Sequence, residues 1–425
     1  MEQPTQRARR SSSGDLTAFP SRETVPRSHF AQQLCEQISD LAIRSSDGSL
    51  GWLDLVLGAD RRTFCYGPLG MDLYGGCAGF VLLMACLSQA IDRHKEHMVR
   101  ELMHPLADLA LQGDPGVLHR WWRDQPLGLS GSGGIVLTLL ELDRLQQPPP
   151  HGWSSYRQLA LRLLHGLQNE RIDADGVFDL MGGVAGLVGP LLQLREDCAT
   201  ELAIRAGRHL IRSQNAEGGW PPAHEGRSLL GFSHGTSGIS AALAVLHHHL
   251  NLAGALEATE RALNLETLNF CPALGNWPDL RLPESTSRFM VAWCHGAPGV
   301  VLSRLCMSQC GFGGESFQRE WEAALDCTAA KPLASDHLCC GTMGLVVILR
   351  LAQRRQDADA LEANVLARLN QGGGCHDLRG LVAGPLTSPG MMTGLSGIAL
   401  GLLDSPESMS CLAQVMSGGL LDPGQ

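Results

Sequence analysis

The sequence predicts an all-α protein, seven helical hairpins closed into an α/α toroid, and three observations carry that expectation. First, a phrase of Gly-x-x-Gly plus an aliphatic or aromatic residue recurs as GCAGF, GSGGI, GVAGL, GTSGI, GAPGV, GTMGL and GLSGI, beginning at Gly76, Gly131, Gly183, Gly235, Gly296, Gly341 and Gly394. Copies spaced roughly every 50 residues mark a repeat architecture. Second, each copy opens a segment that is apolar nearly all round, such as ISAALAVL from Ile239 or LVVILRLA from Leu345, the pattern of a helix buried on every side. Third, amphipathic helical segments with a clear polar face lie between the copies.

In chain order, the first 28 residues hold Arg7, Arg9, Arg10, Arg22 and Arg27 in a Ser/Pro-rich stretch without an apolar core. They read as a flexible tail and not as a secretory signal. Residues 29–410 form the toroid. Its first outer helix is FAQQLCEQISDLAI from Phe30, and others are YRQLALRLLHGL (Tyr156 to Leu167), CATELAIRAGRHLI (Cys198 to Ile211) and FQREWEAALDC (Phe317 to Cys327). With an inner helix after each glycine phrase, the count is seven outer and seven inner helices. Runs of alternating β-branched residues are missing, so strands are few at most. Residues 411–425 read as a C-terminal tail.

Composition excludes several functions. The chain of 425 residues is 44% hydrophobic and 18% charged, with 50 glycines and a formal charge of −10; it folds, and it carries no general basic footprint for nucleic acid. Apolar runs such as Phe80 to Leu87 are too short to cross a bilayer, so no transmembrane segment is expected and the protein reads as soluble and cytoplasmic. Its 14 cysteines, without a secretory signal, read as thiols or metal ligands and not as a disulfide framework.

The chemistry concentrates where inner helices begin. Asp179 lies in FDLMGG, His234 in SHG, Cys294-His295 in WCHG and Cys339-Cys340 in CCG. In a closed ring these positions surround one mouth, whereas an open solenoid would string them along a ridge; convergence favours the ring. The helix N-termini there also turn positive dipole ends and free N–H groups toward the mouth. A buried cysteine is often just a small hydrophobe. Cys294, Cys339 and Cys340 share one position in the repeat, however, which favours a zinc ion with a fourth place left for substrate. The spacing leaves His295 open as a ligand in place of one sulfur. His234 reads as a general acid/base against the alternative of a helix cap. Asp179 reads equally as a helix-N-terminal stabiliser. His247-His248-His249, Cys306 with Cys310, and Cys375-His376 read as solvent-facing, core and loop residues respectively, and Trp220 and Trp277 as rim anchors.

Together, FDLMGGVAG, SHGTSGI, WCHGAPG, LCCGTMG and SPGMMTGLSGIALGLL resemble the lanthionine-forming, LanC-type cyclases. With DLYGGCAG and GLSGSGG, the resemblance is closest to the C-terminal cyclase domain of class II lanthionine synthetases, in the subgroup with Cys-Cys-Gly where many members have Cys-His-Gly. It implies a toroid with one catalytic Zn2+ on Cys294, Cys339 and Cys340, His234 as proton-transfer residue and Asp179 as its electrostatic companion. The reaction implied is addition of a precursor-peptide cysteine thiol to a dehydroalanine or dehydrobutyrine, giving a thioether ring. A dehydratase domain has no room in this chain, so a separate dehydratase is the expected partner of the dehydrated precursor peptide. Two alternatives remain: a LanC-like enzyme adding glutathione to dehydrated residues, and a non-catalytic, zinc-stabilised peptide-binding scaffold. A toroidal glycosidase is disfavoured because paired carboxylates are missing at the helix starts.

Overall fold

The computed structural model describes residues 25–422 except 47–48, 58–62, 223–226, 282–288, 373 and 377–387. The described chain is largely helical. It opens with α1 (Arg27–Asp40), followed by β1 (Ile43–Arg44), β2 (Leu50–Gly51), β3 (Leu53–Leu57) and β4 (Phe64–Pro68). The strands form two antiparallel pairs, β1 with β2 and β3 with β4. Helices then run α2 (Cys77–Ala90), α3 (Lys95–Gln112), α4 (Pro115–Asp124), α5 (Ser132–Arg144), α6 (Tyr156–Leu164), α7 (Asn169–Asp173), α8 (Ala185–Leu194) and α9 (Asp197–Ser213). They continue as α10 (Thr236–Leu250), α11 (Ala255–Asn269), α12 (Ala297–Gln309), α13 (Glu315–Ala329), α14 (Thr342–Leu351), α15 (Arg355–Asn370), α16 (Leu395–Leu403) and α17 (Pro406–Ser417).

Each glycine phrase starts a helix, and those helices are buried on nearly every face, as their uniform apolarity requires. They contact one another in sequence, α2 with α5, α5 with α8, α8 with α10, α10 with α12, α12 with α14 and α14 with α16, and α16 returns to α2. Each also packs on an amphipathic helix: α2 on α3, α5 on α6, α8 on α9, α10 on α11, α12 on α13 and α14 on α15. The first helix is different. α1 packs chiefly on α16, at the other end of the chain, and only lightly on α2. Arg27 ties this contact with ion pairs to Asp404 at 3.0 Å and to the buried Glu362 at 2.8 Å.

The glycine phrase has a steric cause. The second glycine lies in the first turn of its helix, directly against the loop that leads into it. A Cβ at Gly344 would fall well inside contact distance of the Leu338 carbonyl oxygen, and Gly296 adopts φ +90°, which side chains rarely tolerate. The loops thus fold tightly over the helix starts and are close enough to bond to one another. The amide of Ser130 donates to Met181 O at 2.9 Å, Met181 to Ser233 O at 3.3 Å, and Ser233 to Cys294 O at 3.3 Å. Trp293 donates to Cys339 O at 2.9 Å, Cys339 to Met392 O at 2.8 Å, and Met392 to Tyr74 O at 2.8 Å. This belt of backbone hydrogen bonds fixes the loops that carry the chemical residues.

Two terminal expectations change. Most of the 1–28 segment lies outside the described residues, but helix already begins at Arg27. Residues from 411 onward are not a tail up to 422: α17 spans Pro406–Ser417 and buries Cys411, Leu412, Val415 and Met416. It touches α2, α5, α12, α14 and α16 together, and Trp293 Nε1 donates to Met416 O at 2.9 Å. The physical reason is local. Ser405 and Ser408 make a reciprocal capping box that starts the helix, while Ser408 and Ser417, polar in sequence, are buried with their hydroxyls satisfied inside the segment.

Candidate metal centre and proton-transfer pair

Cys294 and Cys339 occupy the same place in their loops, two residues before the first glycine, and Cys340 follows directly. The backbone hydrogen bond from Trp293 N–H to Cys339 O joins the two loops and so brings the thiols together. Sγ of Cys294 and Cys340 are 3.3 Å apart, those of Cys340 and Cys339 3.4 Å, and all three lie within 4.8 Å of one another. Cys294 and Cys339 are buried and Cys340 is half-buried. Among the described residues this is the one cluster of His, Cys, Asp or Glu able to chelate a metal ion. Four-coordinate zinc, with sulfur at about 2.3 Å, sets ligand sulfurs about 3.8 Å apart; the spacing and the soft donor set fit that ion.

Electrostatics make the trio uneven. Hydrogen bonds from Cys294 and then Cys339 hold the Cys340 thiol down to about 3, with His337 and His295 adding to the effect. Cys339 is pushed well up by its hydrogen bonds with Cys294 and Cys340 and by burial. The three sulfurs are thus coupled, and the first proton lost is shared by the cluster. The Cys340 amide donates to His337 Nδ1 at 3.3 Å, fixing that ring.

His234 and Asp179 form a pair. His234 Nδ1 lies 2.8 Å from Asp179 Oδ2, and Asp179 Oδ1 accepts from the Gly182 amide at 2.7 Å and the Gly183 amide at 3.3 Å. The carboxylate is 8% exposed and the imidazole 41%, so a buried anion orients a ring that still meets solvent. His234 stacks on His295 with ring centroids 6.1 Å apart. His295, next to Cys294, is buried, its Nε2 has no partner, and burial with the nearby Arg281 cation pushes it down to about 4. It lies outside the sulfur cluster.

A cleft of about 1070 Å³ opens on this face, lined among others by Tyr74, Asp179, Trp220, His234, Leu280 and Arg281. Two of these, Tyr74 and Arg281, the sequence reading passed over. Tyr74 hydroxyl donates to Cys339 Sγ at 3.0 Å. It stands two residues before Gly76, the register of Cys294 and Cys339, and that register could have found it. Arg281 grips the buried Asp279 through two nitrogens, at 2.9 and 2.7 Å; only an NWPDLR loop marks it, and nothing in that string distinguishes a cleft residue.

The remaining candidates sit apart from the centre. His247 to His249 lie in the last turn of α10, with His248 and His249 exposed, where positive charge suits the helix dipole. Cys306 is core, and Cys375 is buried beside an exposed His376. Trp220 and Trp277 are buried anchors whose indoles donate to Leu210 O and Glu266 O, at 2.8 and 2.9 Å.

Among the described residues, no helix is long and apolar enough to cross a membrane. No curated protein matches this chain in sequence. A solved structure named nisin cyclase superposes on 81% of this chain and 93% of its own, with a TM-score of 0.60 at 18% identity, a likeness of fold. The family model described as lanthionine synthetase C-like protein matches residues 67–410, and the chain belongs to that family.

Proposed function

We propose that the chain is a zinc-dependent lanthionine-forming cyclase built as an α/α toroid of seven hairpins, and that it closes thioether rings on a dehydrated peptide supplied by a separate dehydratase. Within the family we place it beside the C-terminal cyclase domains of class II synthetases, in the Cys-Cys-Gly subgroup, working in the cytoplasm. The observation that carries this reading is that three converged thiols are linked, through the Tyr74 hydroxyl and through His295, to a cleft lined by Tyr74 and by a carboxylate-oriented imidazole.

In this reading Cys294, Cys339 and Cys340 hold the zinc, and Asp179 and His234 handle the proton. Bound by these three residues, zinc would supply the positive charge that keeps a peptide thiol deprotonated near neutral pH. Asp179 anchors His234 Nδ1, which leaves Nε2 facing the cleft to deliver a proton. The peptide sulfur forms a bond to the β carbon of the dehydro residue while the carbon–carbon π bond breaks. The α carbon then takes a proton from His234, and the proton lost from the thiol balances it, so mass is unchanged. The wall around Trp220 and Leu280 keeps the acceptor segment out of bulk water.

The test incubates a pre-dehydrated, cysteine-bearing peptide with the zinc-loaded protein and then with a thiol-alkylating reagent. Ring closure leaves the mass unchanged and blocks alkylation, and Cys339→Ala protein should lose both zinc and activity. Full alkylation of the peptide would sink the proposal; a gain of one glutathione mass, with glutathione present, would move the activity to a soluble thiol donor.

A further inference from the structure

The phenol of Tyr74 reaches the thiol cluster from the opposite end of the chain. Its hydroxyl lies 3.0 Å from Cys339 Sγ across 265 residues of sequence. The approach is prepared by the backbone: Cys339 N–H donates to Met392 O, and Met392 N–H donates to Tyr74 O, both at 2.8 Å. The side chain thus reaches a sulfur two loops away, with the intervening loop held to both by backbone hydrogen bonds. Asp72 Oδ1 accepts from the Gly75 amide at 2.8 Å and fixes the turn that carries Tyr74. An aromatic needed only for packing would not require its oxygen at a sulfur; Leu129, Met181 and Met392 fill the same register without one.

We propose that Tyr74 is a positioning residue for the centre: its hydroxyl orients Cys339 Sγ toward Cys294 and Cys340 and withdraws charge from that sulfur when it serves as a ligand thiolate. A donor to a ligand sulfur works as outer partners of metal ligands generally do, and loss of such a partner typically costs about 10- to 100-fold in metal affinity. In a site with three sulfurs, this hydrogen bond offsets part of the extra negative charge. The inference rests on the cluster being a metal site.

Two measurements test it without relying on turnover. Cobalt-substituted wild-type and Tyr74→Phe proteins are compared by their sulfur-to-metal charge-transfer absorption and by zinc competition against a chelator. Tyr74→Phe should keep one metal per chain, shift the band to longer wavelength, and bind zinc about 10-fold or more weakly. In parallel, 3-fluorotyrosine labelling reports on the three tyrosines of the chain by fluorine resonance. With Tyr66→Phe and Tyr156→Phe to assign the signals, only that of Tyr74 should move on adding zinc, a readout that stands even where Tyr74→Phe folds poorly. Wild type and Tyr74→Phe with the same band and affinity, or a Tyr74 signal indifferent to zinc, would overturn the assignment while leaving the metal site intact. Wild-type protein that takes up no metal through the thiols would overturn both.

Discussion

Asp179 is held at three points, by two backbone amides and by the His234 ring, and its role follows from that constraint. A carboxylate that only stabilised a helix N-terminus would need the amides alone; the contact with a half-exposed imidazole supports the orienting role proposed above. His234→Ala should therefore keep the fold and the metal content while slowing ring closure by about 10²- to 10⁴-fold, read as the rate of protection from alkylation with metal analysis alongside. Asp179→Asn should slow it less, because the imidazole remains but its tautomer is no longer dictated. Equal rates for His234→Ala and wild type would reduce the histidine to a cap. The candidate residues were legible as types because Cys, His and Asp stood just ahead of a repeated glycine phrase. Tyr74 stood in the same register, but its residue type reads as packing until its oxygen is seen against a sulfur.

Among the elements, the glycine-started helix decides the architecture, and its geometry can be tested by adding one methyl group. Gly344→Ala would drive Cβ into the Leu338 carbonyl, backbone that cannot rotate away. Overpacking of this kind costs about 1–3 kcal/mol or more, and urea unfolding should show a lower midpoint with an unchanged slope. Gly176 supplies the control: nothing lies within 4 Å of a Cβ built there, so Gly176→Ala should stay within about 0.5 kcal/mol of wild type. Comparable losses at both sites would mean that the repeat glycines serve chain flexibility and not close approach. The inner helices were legible because a helix buried on all sides must be apolar on all sides. α17 was not, because small buried serines satisfied by their own backbone look like surface residues in a sequence.

On the scale of the whole molecule, α17 and α1 bring the two ends of the chain onto the same set of inner helices. α17 lies against α2, α5, α12, α14 and α16, and α1 completes the packing of α16. Deleting residues 406–425 would strip Cys411, Leu412, Val415 and Met416 from the core and leave the Trp293 indole without its acceptor. Each buried apolar side chain lost costs about 2 kcal/mol or more, which together is comparable to the whole stability of an ordinary domain. The truncated protein should lose cooperative thermal unfolding and near-ultraviolet circular dichroism, and bind a hydrophobic dye. A sharp melting transition near that of the full chain would show α17 to be an accessory.

The sequence by itself determined the helical class, the starts of the inner helices and the residue types at the centre. Those properties depend on short-range physics, in which a turn needs glycine, a buried helix needs apolar residues and a soft metal site needs sulfur. Tertiary structure alone decided which distant groups meet. Cys294 and Cys340, 46 residues apart, come within 3.3 Å through a backbone hydrogen bond between two loops. Tyr74 reaches Cys339 across 265 residues only because the last inner helix packs back on the first. Such contacts are set by how the ends of the chain close on one another, and no local pattern of residues encodes that closure.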